Sequence, residues 1–266
     1  MKKIIPLFSI LLAIGLTIAG LAATKMLNFQ KNPAGKTELI QDELIRSEKN
    51  SEPETIEDIS YAEHLTKGDE LGEKEHYTLA FNEYVLANKL NPDAAEPLLK
   101  IGKLHLRRKD TEKAREIFQH ILAKNSNDLE ANINLGRTYI LDGKIGKALE
   151  IFNSVEEKNT LINYYKGLLN IYFENYETGK QFLREILESE ASGDLKKNAE
   201  NFLKSFELFS ASQGGKTTYL KTLLGKNFNE AEEYDLAIPL LFNVVKEKKD
   251  YRDAWILLGY AYLNKN

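Results

Sequence analysis

Cysteine is missing from all 266 residues. That excludes a disulfide framework, a thiolate metal site, a thiol nucleophile and an acylated N-terminal Cys. With only 6 Pro and 16 Gly the composition is neither collagen-like nor that of a Pro/Gly-rich linker protein. An excess of positive charge is lacking as well. The formal net charge is -4, so nothing long-range draws the chain to nucleic acid, which needs clustered Lys and Arg to displace counterions. What is present is a globular balance of 42% hydrophobic and 29% charged residues, enough for a sizeable core.

One long apolar run stands at the N-terminal end. Ile4 to Ala23 carry no charged side chain and follow Lys2 and Lys3. The run is about 20 residues, the length a helix needs to span hydrocarbon, and exceeds the roughly 7–15 residues of a signal-peptide core. Residues 1–24 are therefore expected to be a transmembrane anchor, with a cleaved signal segment as the alternative. The nearest approach to a cleavage site is Gly20-Leu21-Ala22. An N-in orientation would place the bulk of the protein outside the cytoplasm, or in the periplasm or medium after cleavage. Residues 25–59 are polar and broken by Pro33, Gly35 and Pro53, which predicts a flexible stalk.

From Tyr61 onward the chain repeats with a 34-residue period. Small residues recur at the eighth and twentieth positions and large ones at the twenty-fourth. The first unit, 61–94, has Gly68, Ala80, Tyr84 and Pro92. In 95–128 the series is Leu98, Ile101, Gly102, Ala114, Phe118 and Ile121; in 129–159 it is Leu135, Gly136, Tyr139, Ala148, Phe152 and Val155. Unit 160–193 has Gly167, Tyr176, Gly179 and Leu183 after a three-residue slip. Residues 194–216 fit no unit and read as one irregular amphipathic helix. The register returns in 218–251 with Leu224, Gly225, Tyr234, Ala237, Leu241 and Val244. A partial unit, 252–266, matches the first-helix pattern through Trp255, Leu258, Gly259 and Tyr262. It suggests an array that is incomplete or completed by another molecule, because Ile256, Leu257, Tyr260 and Leu263 are too apolar for a terminal cap.

These units resemble the tetratricopeptide repeat. The resemblance implies an all-α solenoid of helix-turn-helix pairs over residues 60–266 and a protein-binding groove lined by positions two, five, nine, twelve and thirteen of each first helix. Carried onto this sequence, the groove comprises Leu99, Lys103, Arg107, Ile133, Arg137, Ile140, Tyr164 and Tyr172. Such a mixture suits a peptide with apolar anchors and some acidic character. The family's carboxylate clamp is not recognisable, since Leu65 and Asp69, or Leu99 and Lys103, stand where it needs Lys and Asn.

Catalytic signals are weak. Gly35-Lys36-Thr37 and Gly215-Lys216-Thr217 end like a phosphate loop, but Gln30 and Ser210 replace the first Gly. Each reads as a helix boundary. His64, His76, His105 and His120 contain no pair three or four apart for a metal, and His105 is expected to be packed. Glu230-Ala231-Glu232-Glu233 reads as exposed surface. The expectation is a non-enzymatic, cofactor-free, bacterial interaction scaffold that binds an unidentified protein and assists envelope, secretion or pilus assembly. Two alternatives are the recruiting arm of an enzyme lying beyond Asn266 and a structural protein that self-associates through its last helix.

Overall fold

A computed structural model describes residues 60–191, 193–212 and 216–265. The expected anchor 1–24 and stalk 25–59 lie outside the described residues. Among those described, all regular structure is helical, and no helix is long and apolar enough to cross a membrane. The chain divides into two compact units at Pro97.

The first unit holds α1 (Tyr61–Glu73) and α2 (Tyr77–Leu90). Ser60 starts α1 with a capping box: its hydroxyl accepts from the Glu63 N–H while the Glu63 carboxylate accepts from the Ser60 N–H. Where the two helices cross, a methyl group on Gly68 would collide with the Tyr84 ring, whose hydroxyl donates to Asp69 at 2.8 Å. Buried Glu83 lies 2.7 Å from both His64 and Lys67.

The second unit begins within α3 (Glu96–Arg107) and continues through α4 (Thr111–Lys124), α5 (Leu129–Leu141), α6 (Ile145–Ser154), α7 (Thr160–Tyr172) and α8 (Tyr176–Glu188). Then come α9 (Asp194–Ala211), α10 (Thr217–Glu230), α11 (Tyr234–Glu247) and α12 (Arg252–Asn264). Side-chain oxygens of Asp110, Asp128 and Asn159 cap α4, α5 and α7. In four of its hairpins the eighth-position glycine is pressed by the side chain sixteen residues later: Gly102 by Phe118, Gly136 by Phe152, Gly167 by Leu183 and Gly225 by Leu241. At Gly102 it is the Phe118 ring that fills the space, with fully buried Ala114 one turn before it on α4. A buried aromatic or Leu side chain seated on bare backbone brings the two axes close and leaves no void.

The turns inside the hairpins are equally uniform. Glu75, Lys109, Gly143, Glu174 and Glu232 hold a left-handed backbone, with φ from 59° to 69°. At each, the following N–H reaches back five residues, as from Lys144 to the Tyr139 carbonyl. That is the Schellman closure, usually made by Gly; four of these five turns tolerate a side chain there at a cost of about 1 kcal/mol.

α9 breaks this order. It packs on α8 and α10 and touches α7, yet no second helix of its own follows it. Phe202 and Phe206 face the core, against Phe228 at 5.0 Å and Tyr176 at 5.4 Å between ring centres. After this extra helix, α10 and α11 form a regular hairpin, and α11 comes to rest against α5.

Candidate functional site

The contact between α11 and α5 gathers a polar cluster. Glu233 caps the turn into α11, directly after left-handed Glu232, so its side chain leaves a rigid corner. It accepts a hydrogen bond from the Tyr165 hydroxyl on α7, with the Arg137 guanidinium of α5 nearby. Burial pushes the Glu233 carboxyl up to about 7; Arg137 and the Tyr165 hydrogen bond pull it down, while Asp235 and Glu232 push it further up. Burial also raises the phenols of Tyr164 and Tyr165. Tyr165 stacks on Phe152 at 5.0 Å, which fixes its ring between α6 and α7. The sequence reading of Glu233 as exposed surface is overturned: the residue is half-buried and its carboxyl is enclosed by protein, because the extra helix turns α11 back toward α5.

Tyr164, only 3% exposed, receives a hydrogen bond of 3.3 Å from Asn198 on α9. Asn198 lines a cleft of about 510 Å³ between α9 and α10, together with Lys197, Asn201, Lys204, Lys226 and Glu230. This cleft exists because the α9/α10 joint is polar. Asn227 donates to the Asn201 carbonyl at 3.0 Å and to the Ser205 hydroxyl at 2.8 Å, where the other hairpins seat an apolar side chain on Gly. Lys226 pairs with Glu230 at 3.3 Å, which leaves Lys197 and Lys204 to give the cleft a positive balance.

The eight groove residues read from the repeat do not form one continuous surface. Leu99, Ile140 and Tyr164 are buried and serve packing. Lys103 pairs with Glu130, and Ile133 is half-buried. Arg107 and Arg137 are exposed; Tyr172 is half-buried, edge-on to Phe173 at 5.3 Å between ring centres. Arg137 and Tyr164 are brought together, both facing Glu233. Sequence reasoning missed α9's contribution, although a signal existed: Asn198 follows Tyr164 by one 34-residue period. His105 is buried, with Nδ1 3.6 Å from Asp110. Lys216 and Thr217 open α10 as a helix start, and no strand precedes them among the described residues. Nor do three or more His, Asp or Glu side chains converge there as a metal ion would require.

A family comparison agrees with the hairpin geometry of α4 to α7. The tetratricopeptide repeat model matches residues 105–170, spanning α4 to α7. No curated protein matches the sequence. Among solved structures, the chain is similar to TTC0263, a thermophilic TPR protein of Thermus thermophilus, at 14% identity and TM-score 0.43, over 77% of this chain and 100% of that one. It is similar to a tetratricopeptide repeat protein of Parabacteroides merdae ATCC 43184 at 19% identity and TM-score 0.46, over 76% and 84%. A third is Pseudomonas aeruginosa pilF, at 12% identity and TM-score 0.49, over 75% and 96%. None of the three bears on what this chain binds. Tetratricopeptide repeats in general mediate protein–protein interaction.

Proposed function

We propose that the chain is a membrane-anchored interaction scaffold, held by residues 4–23 with its helical part outside the cytoplasm, and that it captures an acidic segment of a protein partner during envelope, secretion or pilus assembly. The observation that carries this reading is the positive balance of the α9/α10 cleft, where Lys197 and Lys204 stand beside amide side chains, with Arg137 exposed on α5. Amide and ammonium donors beside the apolar side chains of Leu208 and Leu223 are suited to an extended peptide with carboxylates and small apolar anchors. Catalysis is no part of this reading.

Photoreactive residues placed at Arg107 and Lys204, with a control at exposed Lys147, test it in native membranes. The expected result is one discrete partner captured from Arg107 and Lys204, absent from the Lys147 control and lost on Lys204→Glu. Equal capture from Lys147, or indifference to the charge reversal, sinks the proposal. A second reading, self-association, is favoured by a separate observation on α12.

A further inference from the structure

α12 has the pattern of a first helix, and among the described residues nothing covers one of its faces. Gly259 stands one 34-residue period after Gly225. The Leu241 side chain presses on Gly225, whereas none of the described residues lies within 4 Å of the place a Gly259 side chain would occupy. Phe228 is fully buried, while Tyr262, one period later, is 53% exposed. Ala254, Leu258 and Ala261 face inward; Trp255, Ile256, Tyr260, Tyr262 and Leu263 face out. Between residues 254 and 264 there is no charged side chain.

The hairpin of α7 and α8 shows what closes such a face. On α7, Gly167 precedes Ile171 by four residues; on α8, Gly179 precedes Leu183 by four. Leu183 covers Gly167, and Ile171 covers Gly179: added methyls would lie 3.0 Å from Leu183 Cδ2 and 2.7 Å from Ile171 Cγ1. Because the helices are antiparallel, each supplies one hole and one knob, related by a local two-fold. α12 carries both halves of that device on its uncovered face, Gly259 as hole and Leu263, 80% exposed, as knob four residues later.

We propose that α12 packs antiparallel against α12 of a second copy, with Leu263 of each chain seated on Gly259 of the other. The contact is isologous, so one complementary pair generates its twin and the assembly closes at two chains. A charge-free face costs little to desolvate and brings no like charges together at the two-fold. A single helix face is at the small end of stable interfaces, so association falls in the micromolar range. This inference does not rest on the peptide-binding reading.

The test is sedimentation velocity of the full chain in mild detergent across micromolar concentrations. Wild type is expected to pass from one to two chains. Gly259→Leu fills the hole and Leu263→Gly removes the knob, so each weakens dimerisation by about tenfold or more. The double variant, Gly259→Leu with Leu263→Gly, exchanges knob and hole and restores it. Leu263→Lys, a good helix former at a surface position, gives a monomer whose circular dichroism matches wild type. Wild type remaining a single chain, a dimer indifferent to these changes, or a double variant no better than the singles each overturns the proposal. Indifference would also arise if residues 4–23, a different protein or a following segment made the contact, and it counts against α12 pairing in every case.

Discussion

The α5/α6 hairpin and the α9/α10 joint are built from helices packed side by side, yet they meet in opposite ways. In the first, the Phe152 ring rests on Gly136 and the contact is dry and close. In the second, Asn227 reaches Asn201 and Ser205 through hydrogen bonds, and a cleft stays open beside it. An apolar side chain on Gly leaves no room for a ligand, whereas an amide joint must keep its polar atoms satisfied and so holds the helices apart. Regular hairpins build the scaffold, and the irregular joint supplies the recess.

The sharpest way to break this contrast is to empty the close contact. Phe152→Ala is expected to cost about 3–5 kcal/mol, read from urea unfolding, because the ring has no other filler. Gly136→Ala attacks the same contact from the other side; its methyl collides with that ring and costs about 1–3 kcal/mol. Gly259→Ala, at the same repeat position in α12, should instead gain a few tenths to about 1 kcal/mol when unfolding is measured on the single chain, at concentrations below those at which α12 pairs, since there it meets open space and Ala favours helix. If Gly136→Ala and Gly259→Ala behave alike, the contrast between filled and unfilled positions fails.

Next in size is the pH dependence of the α11 corner. Glu233 titrates at about 7 in the folded protein, above the ordinary carboxyl value of 4.5. A raised folded pKa means that its contribution to stability is complete below pH 4.5 and is lost as pH rises through about 7. Glu233→Gln should therefore be the more stable protein at pH 8, by about 3 kcal/mol, with the gap shrinking toward pH 5. Parallel stability curves for the two proteins between pH 5 and 8 would remove the buried-carboxylate account. The smallest effect concerns the turns. Lys109→Gly should stabilise by about 1 kcal/mol in thermal unfolding, because it relieves a left-handed side chain, while Gly143→Lys should lose as much.

Much of the hairpin architecture was legible, because Gly102, Gly136, Gly167 and Gly225 each precede a large apolar residue by sixteen positions, the spacing of a helix pair. The slip at unit 160–193 and the odd helix were legible as misfits. Individual groove residues were not. Tyr164 and Ile140 stand at groove positions of the repeat, but neighbouring helices cover them, and burial depends on where the next helix falls. Glu233 shows the same limit from the other direction. Its four-residue context is that of a solvated helix end, and its carboxyl is enclosed only because α11 returns to α5.

Local determinants settled what each segment is: a period in the sequence specifies helices, a glycine opposite a large side chain specifies a close crossing, and Asp or Asn at an N-cap specifies a start. Each acts over one hairpin, within reach of the pattern itself. Which surfaces remain exposed was decided by the tertiary path alone. The extra helix α9 shifts the later helices out of register with the earlier ones, and the cleft, the Arg137–Glu233 corner and the uncovered face of α12 depend on contacts, made or missing, between segments far apart in the chain.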